Sequence, residues 1–422
     1  MASSNIYRRL FWPVYAPSIL FGVAGGATVP VQVLAAMHLG ASASLAALIV
    51  AIIGGIGLAT TVQAGRLIDR VGDRHAMLLA TVFAALTETG SIAALIWGGQ
   101  GALYLFMATS FLRAPAMNIW SLARQAFTAD RVEAGEIGRA MTGLGGTMRI
   151  GGLIGPLLGG LLLLWLPLWS VYVLSVLCAC LALAILYTPS LGGRLEQPST
   201  GSGGVVGGSG GVVKPVLSTE SVEARPTLAV DWTRVILAGI AITCLAVARV
   251  AQPVLVQLWG VHTGLSGSHI SLVIAVGAAV EIVLMFPGGY LKDRLGRAII
   301  LVTCLAIYGT GFLLIVPLTN LLGVPGLVLA VIVMAIGNGL GAGVNMTIGA
   351  DLSPTEGRGH FLGIWALFSN VGVLGGPLMI SALVKFATVQ SAVFSIGGVA
   401  LAGAVWMVTF ARRIGLPSGV RP

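Results

Sequence analysis

Five ionisable side chains stand inside long apolar stretches of the sequence. Glu88 lies within residues 76–97, and Glu281 lies within residues 268–289. Three arginines lie in other apolar stretches: Arg113, Arg149 and Arg249. A desolvated glutamate can take up and release a proton near neutral pH, because burial disfavours its charged form. An arginine keeps its charge, so it needs a carboxylate, a helix carbonyl or an anionic solute as a partner.

These five groups allow two interpretations of their chemistry. Together they carry more positive than negative charge, which favours an anionic or zwitterionic solute, or ion pairs that rearrange when a proton binds. Glu281 and Glu88 are then the candidates for proton coupling. The alternative is that each glutamate forms a structural ion pair with Arg113, Arg149 or Arg249.

Polar and amphipathic residues recur at helical spacing in several apolar stretches, so that neighbours in the pattern share one helix face. They predict a polar lining for a cavity, and hydrogen bonding between helices is the equal alternative. The cavity-lining candidates are Thr28, Gln32, Trp120, Gln252, Asn338, Asn345 and Asn370.

The composition excludes a soluble protein. Of the 422 residues 57% are hydrophobic and 9% are charged, with a mean hydropathy of +0.98, whereas soluble domains carry about 25% charged residues. A helix that crosses a membrane needs about 20 apolar residues. The sequence therefore predicts an all-α membrane protein with twelve transmembrane helices, at residues 12–37, 43–64, 76–97, 101–123, 140–165, 168–187, 233–259, 268–289, 298–317, 322–350, 360–384 and 387–410.

The lysines and arginines predict the orientation, because cytoplasmic loops are enriched in them. All but four of the 23 fall on one side of the predicted helices. The exceptions are Lys385, at the outer end of a helix, and three arginines within helices: Arg113, Arg149 and Arg249. The pattern predicts that both termini lie in the cytoplasm. It also accounts for the formal charge of +9 without nucleic acid. For the chain as a whole we expect a functional monomer of the bacterial cytoplasmic membrane, with lipids, protons and a small-molecule solute as its partners.

One charged segment occurs twice in this apolar chain. In GRLIDRVGDR the first residue is Gly65, and it corresponds to Gly289 in GGYLKDRLGR at an offset of 224 residues. Between the copies, residues 188–231 contain STGSGGVVGGSGG, a composition typical of a flexible linker. The repeat predicts two six-helix halves, residues 1–187 and 232–422, joined by a cytoplasmic linker at 188–231.

A second pair of similar segments supports the repeat. RIGGLIGPLLGG spans residues 149–160, and NVGVLGGPLMIS spans residues 370–381, with Pro156 corresponding to Pro377. Small residues at this density let two helices approach closely. The segment in the first half contributes Gly151, Gly155, Pro156, Gly159 and Gly160.

The two charged segments resemble the loop signature of the major facilitator superfamily. The matching residues are Gly65, Asp69, Arg70, Gly72 and Arg74 in the first copy and Gly289, Asp293, Arg294 and Gly296 in the second. Arg113 resembles the buried arginine of the family's fourth helix. The resemblance implies two pseudo-symmetric six-helix bundles that rock about a central site. It also implies that the charged segments form a cytoplasmic gate, closed when the transporter faces outward.

The fifth predicted helix resembles the motif of the drug/proton antiporter branch, through its sequence GGLIGPLLGG at residues 151–160. In the family, helices one, four, seven and ten line the cavity, and the cavity-lining candidates fall largely on them. The eighth helix flanks the cavity, which favours Glu281 over Glu88 for proton coupling.

The expected function is secondary active transport, foremost proton-coupled efflux of small organic or amphiphilic compounds, drugs included. The alternative is proton-coupled transport of an anionic or zwitterionic metabolite or lipid. A further alternative is an intramembrane serine hydrolase, because GLSG at residues 264–267 places Ser266 in a GxSG pattern. The sequence has no P-loop and no cluster of metal ligands, so no metal and no cofactor beyond a proton gradient is expected.

Overall fold

The computed structural model describes residues 3–132, 137–188, 230–354 and 358–416, and the regular secondary structure in these ranges is helical throughout. The expected all-α fold is therefore confirmed. The predicted linker at 188–231 lies almost wholly outside the described residues. We call residues 3–188 the first half and residues 230–416 the second half.

The helices of the first half are α1 Ser3–Leu10, a π-helical turn Phe11–Tyr15, α2 Ala16–His38, α3 Ala43–Ala59, α4 Thr61–Val71, α5 Asp73–Trp97, α6 Ala102–Asp130, α7 Ile137–Leu162 and α8 Trp169–Tyr187. Those of the second half are α9 Trp232–His262, α10 Gly267–Leu295, α11 Arg297–Leu322, α12 Val324–Leu340, α13 Val344–Leu352, α14 Arg358–Phe386 and α15 Val389–Ile414. Every predicted transmembrane stretch coincides with one of these helices or with a broken pair of them.

Most of these helices are long and apolar enough to cross a membrane. In the described residues 9 helices meet that test, or 10 if α3 and α4, which meet at 48°, form one broken span. The predicted stretches 101–123 and 140–165 correspond to α6 and α7, of 29 and 26 residues. These findings agree with the predicted twelve-helix architecture.

The packing repeats in the two halves. In the first half α2 packs on α7 and α8, and α5 packs on α6 and α8. In the second half α9 packs on α14 and α15, and α11 packs on α12 and α15. The corresponding loop glycines also match, since Gly72 has φ 80° and ψ 154° and Gly296 has φ 92° and ψ 154°. A positive φ is accessible to glycine at little cost, which explains a glycine at both turns.

The repeated loops define two sides of the molecule. We call the helix ends next to residues 65–74 and 288–297 the charged side. We call the opposite ends the far side, where the turns at 39–42, 98–101 and 263–266 lie. The prediction from the lysines and arginines is that the charged side faces the cytoplasm.

Glycines of the fifth predicted helix let α7 lie directly against α2. A Cβ atom added at Gly155 would lie 2.5 Å from the backbone nitrogen of Ala27, and one at Gly151 would overlap the backbone of Gly22. The corresponding Gly372 packs in the same way on α9, where an added Cβ would lie 2.7 Å from the carbonyl oxygen of Thr243. The glycine motif therefore has a packing role in this fold.

We expect Gly155→Ala to destabilise the first half, because the new methyl group meets backbone atoms that cannot rotate away. Overpacking of this kind costs about 1–3 kcal/mol and would lower the Tm in detergent by about 2–6 °C. Gly152→Ala is the matched control, since a Cβ there meets nothing within 4 Å. Equal melting temperatures for the two variants would contradict the packing argument.

Candidate functional site

An ion pair joins the two halves at mid-depth. Arg149 lies near the middle of α7 and Glu281 near the middle of α10, and the Arg149 Nη1 to Glu281 Oε1 distance is 3.1 Å. Their side chains are 34% and 28% exposed. The pair is thus partly open, so that a proton or a solute can reach it.

Hydrogen bonds extend this pair into the second half. Asn338 Nδ2 donates to Glu281 Oε2 at 2.7 Å, and Arg249 Nε donates to Asn338 Oδ1 at 2.8 Å. We call Arg149, Glu281, Asn338 and Arg249 the central network. Arg249 thus reaches Glu281 through Asn338 rather than directly. With both arginines and the carboxylate ionised, the central network carries a net positive charge.

A break between α12 and α13 anchors the central network. The chain leaves the helix at Gly341, and Gly343 has φ 75°. A helix C-terminus leaves carbonyl groups unpaired and carries partial negative charge, so cations are favoured there. Arg249 Nη2 donates to Gly341 O at 3.0 Å, and Lys292 Nζ donates to Ala342 O at 3.0 Å.

Sequence reasoning missed the role of Lys292, which it counted as an ordinary cytoplasmic charge. The structure buries this side chain, leaving it 9% exposed. The signal that could have found the helix break is the glycine run at Gly339, Gly341 and Gly343 inside the tenth predicted helix. Such a run weakens a helix interior, because each glycine loses much conformational entropy on folding.

The other two buried charges form a separate site inside the first half. Arg113 Nε lies 2.8 Å from Glu88 Oε1, and the Glu88 side chain is only 2% exposed. Ser175 Oγ donates to the same oxygen at 3.1 Å, and Arg113 Nη2 donates to Thr28 Oγ1 at 3.2 Å. Both glutamates are therefore ion-paired in this conformer, as the structural alternative expected, but only Glu281 joins the two halves.

Two further cavity-lining candidates make hydrogen bonds within the second half. Gln252 accepts a hydrogen bond from Tyr308 Oη at 2.7 Å. Asn345 Nδ2 donates to Ser369 Oγ at 2.8 Å, and Asn345 Oδ1 accepts from Trp365 Nε1 at 2.9 Å. These contacts match the alternative of hydrogen bonding between helices.

The remaining cavity-lining candidates lie outside the central network. Gln32 and Asn370 are partly exposed. Trp120 is 1% exposed and stacks on Phe21 with ring centroids 3.9 Å apart. The structure thus places Trp120 in the core of the first half rather than on a cavity surface, because its large ring stacks on Phe21 and lies 4.9 Å from the Arg124 guanidinium.

Gln257 holds α2 and α9 together toward the far side. Its Oε1 accepts from Val33 N at 3.1 Å, and its Nε2 donates to Val29 O at 3.0 Å. Nε2 also donates to Pro253 O at 2.9 Å. The side chain is 1% exposed, so its amide forms a fully buried bridge between the halves. Sequence reasoning did not identify this residue.

Two serines close the far side in the same way in both repeats. Ser44 Oγ donates to Ser381 O at 2.8 Å, and Ser268 Oγ donates to Gly160 O at 3.0 Å. Ser44 and Ser268 are separated by the same offset of 224 residues as Gly65 and Gly289. We call these two bonds and the Gln257 bridge the far-side closure. The hydrogen bonds and the ion pair given above between the two halves lie here and at the central pair.

The repeated charged segments lie on the charged side. Gly65 is buried in α4, whereas Asp69 and Arg70 are exposed, and Asp69 forms no ion pair with any described residue. Arg74 Nη2 donates to Leu186 O at 3.1 Å. In the second copy Arg294 lies over the ring of Tyr290 at 4.9 Å, and a Cβ at Gly289 would meet nothing. The side chain of Asp293 lies outside the described residues.

Ser266 of the GxSG pattern has a structural role. Its Oγ accepts a hydrogen bond from the backbone nitrogen of His269 at 3.3 Å and so caps the N-terminus of α10. The same Oγ lies 2.8 Å from His269 Nδ1, at an exposed position.

Comparison with known families decides the identity. The sequence profile of the Major Facilitator Superfamily matches residues 14–248 and, a second time, residues 235–422. The chain belongs to the Major Facilitator Superfamily. The double match falls on the two halves of the fold. No curated protein sequence matches the chain.

Solved structures of other transporters share the fold. The peptide transporter POT in complex with sulfate is 16% identical, with a TM-score of 0.76 over 97% of this chain and 95% of that chain. A POT family transporter in complex with 5-aminolevulinic acid is 13% identical, with a TM-score of 0.70 over 95% and 96%. A D-xylose-proton symporter is 14% identical, with a TM-score of 0.68 over 98% and 98%. At these identities the likeness concerns the fold alone.

This membership makes the chain an integral membrane transporter rather than an enzyme. The hydrolase alternative built on Ser266 is thereby overturned, and the capping bond explains the serine. The superfamily match does not assign the chain to the drug/proton antiporter branch.

The far-side closure predicts a specific cross-link. In Ser44→Cys/Ser381→Cys the two sulfurs replace Oγ atoms that lie 3.2 Å apart, so mild oxidation of membranes should join them in a disulfide. Mass spectrometry of the digested protein measures the cross-linked peptide. The control pair Ser44→Cys/Ser391→Cys places its second cysteine on α15 and should remain reduced. Equal cross-linking of both pairs would contradict the closure.

Proposed function

We propose that this protein is a proton-coupled secondary transporter that works by alternating access. Its preferred solute is a small anionic or zwitterionic compound, and its proton-coupling residue is Glu281. The observation that carries the proposal is the Arg149–Glu281 pair, because it is an ionisable contact between the two halves at mid-depth. Proton binding there acts directly on the contact that must change when the halves rock.

The coupling follows from the charges of the central network. When Glu281 is protonated, Arg149 loses its counter-charge while it remains partly buried, which is unfavourable. An anionic group of the solute restores the balance by binding Arg149 and Arg249. Proton and solute thus favour each other's binding, and the freed pair no longer ties α7 to α10.

The far-side closure suits a reversible gate. It consists of neutral amide, hydroxyl and carbonyl groups, and each such hydrogen bond contributes about 0.5–1.5 kcal/mol net. The sum of a few such bonds is comparable with the difference in a ligand's binding free energy between two conformers. That difference is what shifts the equilibrium between the conformers. The conformer described above is then the one closed on the far side and accessible from the cytoplasm. In the opposite conformer we expect Asp69 and Asp293 to form the closed cytoplasmic gate.

Two observations on similar proteins support a charged solute. The POT structures are described in complex with sulfate and with 5-aminolevulinic acid, and both compounds carry negative charge. The proposal also includes the division of the chain into two halves, 1–187 and 232–422, joined by a linker at 188–231. Both termini are proposed to lie in the cytoplasm. Protons and lipids are its expected partners, and the functional unit is a monomer in a bacterial cytoplasmic membrane.

A second candidate function is proton-coupled efflux of amphiphilic compounds, drugs included. It is favoured by an open apolar recess of about 380 Å³ between α9 and α14. The recess is lined by Ile240, Thr243, Cys244, Leu367, Phe368 and Val371. An apolar solute would gain about 25 cal/mol for each Å² of its surface buried there. The glycine motif of α7 resembles that of such exporters.

We expect Glu281→Gln to abolish accumulation driven by a pH gradient in proteoliposomes while solute exchange continues. The amide keeps the shape of the side chain and a hydrogen bond to Arg149, but it cannot carry the proton. The measurement is uptake of a panel of labelled solutes with and without an imposed gradient.

Asp351→Asn is the matched control for this test. Asp351 is also paired with an arginine, at 3.0 Å from Arg297, but both residues lie in the second half. The control should keep gradient-driven accumulation. Uphill transport that survives in Glu281→Gln would refute Glu281 as the coupling residue.

Two substitutions distinguish between the two candidate classes of solute. Arg249→Ala removes a charge-assisted contact worth about 1.5–3 kcal/mol, so it should weaken binding of anionic or zwitterionic solutes about 10- to 100-fold. Val371→Trp fills the apolar recess and should weaken binding of amphiphilic compounds only. Competition against a bound fluorescent solute measures both effects. If only Val371→Trp impairs binding of the transported compound, the efflux candidate replaces the first.

A further inference from the structure

Glu88, the carboxylate inside the first half, has one oxygen with no partner. Its Oε1 receives two donors, Arg113 Nε at 2.8 Å and Ser175 Oγ at 3.1 Å. Its Oε2 is buried and has no hydrogen-bond partner among the described residues. A buried polar oxygen without a partner is unfavourable, and more so when it is charged. The site therefore calls for a ligand that donates a hydrogen bond.

A small cavity lies beside the Glu88 side chain. Its volume is about 10 Å³, and its wall includes Glu88, Arg113 and Ser175 together with apolar groups. The apolar wall consists of Phe21, Ala24, Ala84, Met117 and Ala179. An internal water needs roughly 10–15 Å³ and two to four polar partners. The cavity thus has the size and polarity for one water molecule.

The cavity lies on the charged side of the Glu88–Arg113 pair. Ala84 precedes Glu88 by one helical turn on α5, which starts at the charged side. Met117 follows Arg113 by one turn on α6, which ends at that side. All four helices around the cavity, α2, α5, α6 and α8, belong to the first half. The site is therefore separate from the contact between the halves.

We propose that this cavity holds one water molecule on Glu88 Oε2, and that water and carboxyl together form a proton-binding site internal to the first half. With the carboxylate ionised, the water donates a hydrogen bond to Oε2. When the carboxyl takes up one proton, the new O–H group on Oε2 donates to the water instead. Arg113 and Ser175 keep their bonds to Oε1 in both states, so protonation requires no repacking.

The surroundings hold few other charges. From α6, the Arg113 guanidinium favours the ionised carboxylate. From α8, the hydroxyl of Tyr172 and the thiol of Cys178 flank Ser175, and Tyr172 Oη is also buried without a partner among the described residues. From α2, Thr28 contributes a hydroxyl that is bound to Arg113. The apolar wall opposes the ionised state, because it offers that state no solvation.

This site goes beyond the proposed function. Glu281 lies at a contact that changes when the halves rock, whereas Glu88 keeps its neighbours because they move with it. The protein then has two proton-binding carboxyls, one at the contact between the halves and one enclosed in the first half.

Radiolytic labelling of the full-length protein in detergent tests for the water, since short X-ray pulses generate hydroxyl radicals from bound water. Phe21, which lines the cavity, and Phe127, which is not part of its wall, are both 3% exposed. We expect Phe21 to be hydroxylated several-fold faster than Phe127. In Ala84→Val the added methyl groups fill the cavity, and the two rates should become equal. Equal rates in the wild type would overturn the proposal.

Infrared difference spectra across a pH titration test for the proton. We expect a protonated-carboxyl band that disappears in Glu88→Gln and persists in Glu281→Gln. Its absence from the wild type at every pH at which the protein stays folded would overturn the proton site. If Glu88→Gln fails to fold, Ala84→Val supplies the test, because loss of the water should shift the same band. Neither measurement needs a transported solute, so failure here is distinguishable from failure of the proposed function.

Discussion

The contact between Arg149 and Glu281 governs the rest of the structure. Two opposite charges from different halves meet at 3.1 Å in the middle of an apolar fold. Separating them without replacement partners would leave each charge only partly solvated, which is unfavourable. The halves are therefore tied at their centre by a bond whose strength depends on protonation and on any anion that can substitute for Glu281. Asn338 and Arg249 extend the same dependence to the broken helix α12–α13.

The groups that join the two halves differ in charge between the centre of the molecule and the far side. The centre is ionic, whereas the far-side closure is built from an amide, two serine hydroxyls and backbone carbonyls. Neutral hydrogen bonds exchange with water at little net cost. We expect a gate made of such bonds to open once the Arg149–Glu281 pair separates, as the proposed transport cycle requires. The two glutamates thus differ in position, because Glu281 lies at the contact between the halves and Glu88 lies within the first half.

Much of the fold was predictable, because its causes are local. Length and apolarity of each stretch predict a helix, and the repeated Gly72 and Gly296 adopt the same left-handed turn. The buried ionisable residues were also predictable, since a charge in an apolar stretch stands out. Gln257, Ser44 and Ser268 were not, because glutamine and serine in a membrane helix give no distinct signal. Lys292 looked like one more cytoplasmic cation, although it binds the carbonyl of Ala342.

By itself the sequence determined the helical class, the two-fold repeat and the identities of the charged residues in the interior. These follow from composition and spacing, which are properties of short segments. Only the tertiary structure decided which residues these charged side chains pair with. Arg149 and Glu281 are 132 residues apart in the chain, and nothing in either segment specifies whether Glu281 meets Arg113, Arg149 or Arg249. That choice depends on which helix faces lie opposite each other when the two halves pack.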